Sequence, residues 1–327
     1  MKSTHWLRYV LTALCLVAAS KGMAQTLRET PPPELVERVA AAEAAAERGG
    51  AGPFPAVMLD EPGLPTHTVY RPADLAAAAS RGALPIIAWG NGACVNYGNR
   101  FRYFLTEIAS QGYLVLAIGP IGPVWLEWNT QAPGDPNVRP EDRAAPSHAE
   151  QLIDAIDWAL AENQRADSVY FGRLDATQVA VMGMSCGGLQ AIAAAADPRV
   201  KTLMVWNSGT FPEGTKPLAG TGEASKASLT LLHTPVAYIT GDASDIAFDN
   251  ANDDYAAISA VPIFRAWQLG IGHSGTYREP AGGSFTPVGV NWLDWQLKGD
   301  QHAGRMFSGE TCGLCTDERW VVMRKGW

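Results

Sequence analysis

Five consecutive residues, Gly183-Met184-Ser185-Cys186-Gly187, carry the pattern Gly-x-Ser-x-Gly. A serine so placed can act as a nucleophile if the chain turns sharply there from a strand into a helix, lifting the hydroxyl clear of the backbone. The flanking residues ask for that turn. Val179 to Met182 is a short apolar run suited to a buried strand. Leu189 to Ala196 is a small-residue stretch suited to a helix, stopped by Asp197-Pro198. The two flanking glycines, with Gly188 behind them, let strand and helix pass closely. The chemistry implied is acyl transfer, in which the hydroxyl attacks a carbonyl and water later releases the acyl group.

A serine hydroxyl is a poor nucleophile without a base, and on such a turn the partners follow in the order serine, acid, histidine. His67 and His148 precede Ser185 and fail that order. His233 leaves little chain for an acid on a later strand end, and His302 lies in a polar tail. His273 follows the apolar run Pro262 to Leu269 in a glycine-rich loop, and is the expected base. The acid should follow the run Pro235 to Thr240. Asp245 is preferred there, because it stands clear of the strand and precedes an apolar pair that can dock the loop. Asp242 is the alternative acid or a loop cap, and Asp249 ranks third.

Developing negative charge on the carbonyl oxygen needs two aimed N–H donors. Cys186, next after the serine, should supply one. The second should come from Trp89-Gly90-Asn91-Gly92-Ala93-Cys94, with Asn91 the first choice and Gly92 the second. Trp89, Met184 and Trp206 are candidate walls of a substrate pocket. Trp125 and Trp128 read as loop packing.

These groups lie far apart in sequence, so the fold must bring strand ends together. Continuous apolar runs at Leu84 to Trp89, Tyr113 to Ile118, Val179 to Met182 and Thr202 to Trp206 suit strands buried on both faces, as do Pro235 to Thr240 and Pro262 to Leu269. Helical patterns at Phe101 to Ser110, Ser147 to Glu162, Ala251 to Ile258 and Val288 to Leu297 alternate with them. Thr66 to Tyr70 is an earlier strand. The alternation predicts an α/β protein with a mostly parallel sheet and helices on both faces, with ligands bound at the carboxyl ends of the strands. Residues 208–233 read as an excursion over the sheet and a possible small lid.

From about residue 55 onward the sequence resembles the α/β-hydrolases, and within them the secreted dienelactone-hydrolase-like, cutinase-like and polyester-hydrolase-like carboxylesterases. The resemblance rests on Gly183-Met184-Ser185-Cys186-Gly187, Ser244-Asp245-Ile246-Ala247, Gly272-His273 and Trp89-Gly90-Asn91. Met184 stands where many secreted esterases have His or Tyr, and Cys186 where Met, Gln or Ala is frequent. The resemblance implies an α/β-hydrolase fold and a serine ester hydrolase acting on small or polymeric esters, with no cofactor or metal required. A peptidase or amidase on the same three residues, or a non-catalytic binding protein on the same scaffold, are the other readings.

The ends of the chain bear on location. Lys2 and Arg8 precede an apolar stretch, Tyr9 to Ala19, and Gly22-Met23-Ala24 offers the small residues of a cleavage site. Residues 1–24 therefore read as a signal peptide and the protein as secreted or periplasmic. Residues 25–54 form a Pro- and Ala-rich lead-in with a helix from Glu34 to Arg48, expected to lie outside the core, and 55–327 a single catalytic domain. The chain has a net charge of −8. Loss of Lys2, Arg8 and Lys21 with the first 24 residues makes this −11, which disfavours nucleic acid as a partner. No later segment has the apolar length to span a membrane. Cys312 and Cys315 suit a local disulfide. Cys94 and Cys186 read as buried free thiols rather than a bridge, a pairing that spacing alone leaves open.

Overall fold

The computed structural model describes residues 33–122, 145–215 and 224–327. The expected signal peptide, Trp125, Trp128 and residues 216–223 of the expected lid lie outside these. Residues 39–327 form a compact unit that carries the sheet.

Among the described residues, nine strands form one sheet in the order β1-β2-β4-β3-β5-β6-β7-β8-β9. They are β1 (Ala56–Asp60), β2 (His67–Pro72), β3 (Leu84–Gly90), β4 (Leu114–Ile118), β5 (Leu174–Met184), β6 (Val200–Trp206), β7 (Val236–Gly241), β8 (Ile263–Gln268) and β9 (Trp320–Lys325). The pairings from β4 across to β8 are parallel. Those of β1, β2 and β9 with their neighbours are antiparallel.

The parallel centre follows from its residues. All of β3 and β4 is buried, as uninterrupted apolar runs require. Successive side chains leave the sheet on opposite faces and feed two cores. Ile86 and Ala88 of β3, Val179 and Val181 of β5, and Leu203 and Val205 of β6 join one core. Ile87, Trp89, Ala180, Met182, Met204 and Trp206 join the other. Helices Glu150–Gln164 and Cys186–Ala194 cover the first face. Helices Arg102–Ser110 and Phe285–Lys298 cover the second.

Helix Arg102–Ser110 is buried all round, including Arg102 and Glu107. Its outer side is covered by part of the lead-in. Glu43 pairs with Arg102 and accepts a hydrogen bond from the Tyr103 hydroxyl. The Ala51 N–H donates to Glu107 and the Gly52 N–H to Ser110. Glu43, Ala51 and Gly52 thus supply the partners that this polar helix face needs. From 208–233, Ala224, Leu229 and Leu232 join the first core.

Cys312 and Cys315 are bonded as expected. Cys94 and Cys186 are bonded too, which corrects their reading as free thiols. The physical reason is the adjacency of β3 and β5, whose carboxyl ends pair at Gly90 and Gly183 and bring residues 92 positions apart to a Cα–Cα distance of 5.3 Å. No helix among the described residues is long and apolar enough to cross a membrane.

Candidate active site

Ser185 follows β5 at φ 53°, ψ −117°, a left-handed conformation that a non-glycine residue holds only when its surroundings fix it. Two features fix it here. The Ser185 N–H donates to the Trp206 carbonyl at 2.9 Å, locking the turn to β6. The turn is also tight enough that a Cβ on Gly183 would meet the Gly187 oxygen at 2.1 Å, and a Cβ on Gly187 would meet the Gly90 oxygen at 2.0 Å. Only glycine allows the new helix to lie this close to β5 and β3.

His273 arrives in the loop after β8 with its Nε2 3.0 Å from Ser185 Oγ. Its Nδ1 lies 2.6 Å from Asp245 Oδ1, in the loop after β7. Three side chains from three strand ends thus form one continuous hydrogen-bonded relay. Asp242 is outside it: this exposed carboxylate accepts from the Ser244 N–H and hydroxyl and the Gly270 N–H, the loop-capping alternative. Asp249 lies in the helix Phe248–Ala257. His67 is buried elsewhere, between Thr66 and the Gln151 carbonyl, and burial lowers its pKa.

The Asp245 side chain is fully buried. Burial alone would raise its pKa, but hydrogen bonds from His273, the Ala247 N–H and Asn207 outweigh it and hold the carboxyl below its ordinary 3.8. Oδ1 takes the Ala247 N–H at 2.9 Å besides His273. Oδ2 takes the Asn207 amide at 2.7 Å and the Gly241 N–H at 3.1 Å.

Asn207 escaped the sequence reading. It sits at φ 41° directly after β6, fully buried, and its Oδ1 accepts the Tyr277 hydroxyl at 2.5 Å. The one available signal was position, a polar residue at the carboxyl end of a central strand. Asn207→Ala should lower unfolding stability by about 1–3 kcal/mol, because it orphans the buried Tyr277 hydroxyl and removes a donor to Asp245. Urea unfolding of the variant measures this, and an unchanged midpoint would remove Asn207 from the account.

Ser185 and His273 open onto a cavity of about 470 Å³. Gly92, Ala93 and Cys94 line it beside Cys186, whereas Asn91 does not. The Asn91 side chain is turned inward, accepting from Trp89 Nε1 and donating to the carbonyls of Val95, Tyr97 and Ile118. Gly92 thus stands in the cavity wall, and the Asn91 side chain ties the loop to the sheet.

Met184 lines the cavity as expected. Trp89 and Trp206 do not, and this corrects their reading as pocket walls. Both point from their strands into the second core, where Trp206 packs edge-on against Phe104 and Tyr277, and Trp89 edge-on against Tyr277 and tilted against Phe104. The apolar walls come instead from Phe101, Met184 and Ile246. Arg100 and Arg278 line another part. Burial and the nearby Arg278 charge push Arg100 down to about 10, so it stays cationic at neutral pH.

Comparison of the chain with protein-family models gives no match, and neither does comparison with curated proteins. The functional reading therefore rests on the site.

Proposed function

We propose that this protein is a secreted serine ester hydrolase with an α/β-hydrolase fold. One observation carries the reading: the unbroken relay from Ser185 Oγ through His273 to the buried Asp245 carboxylate. Its members follow β5, β7 and β8 in the order serine, acid, histidine that this fold uses.

Ser185 Oγ attacks the ester carbonyl while His273 Nε2 takes its proton. Asp245 holds the imidazole with Nδ1 protonated and stabilises the imidazolium. The tetrahedral oxyanion is received by the Cys186 N–H and by the loop after β3 at Gly92. The imidazolium returns its proton to the leaving alcohol, and a water activated by the same histidine releases the acid. None of these steps calls for a cofactor. The residue 1–24 pattern, together with two disulfides, supports export to an oxidising compartment.

A fluorophosphonate should label the wild-type protein on the peptide containing Ser185, and p-nitrophenyl esters should turn over far faster than peptide p-nitroanilides. Absence of labelling would sink the enzyme reading. Anilide turnover equal to ester turnover would replace an esterase with a peptidase.

Ile246 is 80% exposed and forms part of the cavity wall beside Phe101 and Met184, where a bound acyl chain would cover it. Ile246→Ser should raise KM for a long-acyl ester about five- to thirtyfold, from loss of about 1–2 kcal/mol of apolar contact, with kcat kept. An acyl-length series measures this, and an unchanged KM across it would place the acyl chain elsewhere.

A further inference from the structure

We infer that the Cys94–Cys186 disulfide is a positioning element of the oxyanion site, holding the two amide-bearing segments at a fixed separation. The inference rests on the functional reading above. Cys186 is itself one expected donor and directly follows the nucleophile. Cys94 closes the loop Gly92–Cys94 that brings the other donor to the cavity, and both cysteines stand in the cavity wall. The bond therefore joins the two halves of the oxyanion site directly.

The loop's other ties lie at its two ends, where the Asn91 amide also binds the Val95 and Tyr97 carbonyls and the Val95 N–H binds the Gly92 carbonyl. Parallel pairing of β3 with β5 ends at Gly90 and Gly183, before the donor loop begins. The Asn91 side chain anchors the start of the loop to Ile118, and the Ser147 N–H binds the Cys94 carbonyl. Between these points Ala93 and Cys94 both hold left-handed backbone, at φ 56° and 52°. Two successive non-glycine residues stay in that conformation only if something imposes it. The disulfide grips one of them. On the other side Cys186 is fixed by its helix, whose Gly187 abuts Gly90. Cutting the bond lets the loop relax toward ordinary φ and swings its amides away from the oxyanion, while the Ser185–His273–Asp245 relay, which touches neither sulfur, persists.

A purely structural bridge predicts something different. It would lower stability and leave each folded molecule as fast as before. An oxyanion element acts on the transition state more than on bound substrate, so its loss appears in kcat and not in KM.

The test compares Cys94→Ala/Cys186→Ala with the wild type, and with Cys312→Ala/Cys315→Ala as a disulfide-loss control. Rates are normalised to fluorophosphonate-titrated sites. We expect kcat on a p-nitrophenyl ester to fall about 10- to 100-fold, short of the 10²–10³ for complete loss of a donor. KM should stay within about threefold, as expected of an interaction made in the transition state. Affinity for a trifluoromethyl ketone that forms the tetrahedral adduct should fall in parallel with kcat, and the control should keep its kcat. An unchanged kcat and ketone affinity, whatever the melting temperature, would make the bridge structural only and overturn the inference. Should the double variant fail to fold, the Cys312→Ala/Cys315→Ala protein, which keeps the Cys94–Cys186 bridge, is reduced with a phosphine and then reoxidised: kcat must fall as the two thiols appear and return as they vanish, and a kcat indifferent to them overturns the inference. A wild type that neither turns over esters nor labels at Ser185 defeats the functional reading first, and this one with it.

Discussion

Ser185→Ala should lower kcat on a p-nitrophenyl ester about 10⁶-fold, to a residue left by the remaining donors and binding groups. The size follows from what the hydroxyl does: no other group in the relay can form the acyl-enzyme. KM should change little, since the hydroxyl contributes little to holding the ground state. The fold should survive, because among the described residues the side chain bonds only to His273 while the backbone N–H keeps its 2.9 Å bond to Trp206. Alanine carries the same Cβ, so the strain at φ 53° is unchanged. Kinetics and a melting curve on the same preparation decide the matter. Turnover within tenfold of wild type would place the nucleophile elsewhere.

The parts of the molecule legible in the sequence are those whose signal is local. The central strands announce themselves because burial on both faces demands an unbroken apolar run, and β3 and β4 are such runs. Ser185, Asp245 and His273 were legible because each follows one of those runs, at strand ends that the sheet brings together. The edges were not. β1 and β9 are half-exposed and mixed in polarity, so nothing in Ala56–Asp60 or Trp320–Lys325 stands out until a neighbour supplies the hydrogen bonds. Non-local facts were hidden for a similar reason. The Cys94–Cys186 bond depends on β3 and β5 being neighbours, which spacing does not reveal. Trp89 and Trp206 were misplaced because a strand-end position does not say which face the side chain takes, and alternation sends both into the core. The three carbonyls bound by the Asn91 side chain were hidden too, because they come from Val95, Tyr97 and Ile118, which only the folded loop and β4 bring together.

Asp245→Asn should cost about 10⁴-fold in kcat, the scale seen when a triad carboxylate elsewhere is replaced by its amide. The hydrogen bonds around Asp245 explain why this near-isosteric change cannot be absorbed. All four neighbours are donors: His273 and the Ala247 N–H on Oδ1, Asn207 and the Gly241 N–H on Oδ2. An asparagine must place its NH₂ on one side or the other. On the first side it faces the Ala247 N–H and drives His273 to the tautomer protonated on Nε2, which cannot take the serine proton. On the second side it faces the Gly241 N–H, a backbone donor that cannot turn away, and the Asn207 amide, held in its orientation by the Tyr277 hydroxyl. Either arrangement leaves donors opposed in a buried place, so stability should fall by about 1–3 kcal/mol as well. That loss has a defined pH dependence. The native carboxyl lies below its unfolded value of 3.8, so its ionised form contributes its full stabilisation above that pH and loses it as pH falls through the lower native value. The wild type should therefore lead the variant by the full margin at neutral pH, with the gap narrowing below about pH 3.8 as Asp245 protonates. Denaturant titrations across that range measure the gap. A margin that stays constant into strong acid would mean that the four donors do not act on a charged carboxylate, and the relay would lose its anchor.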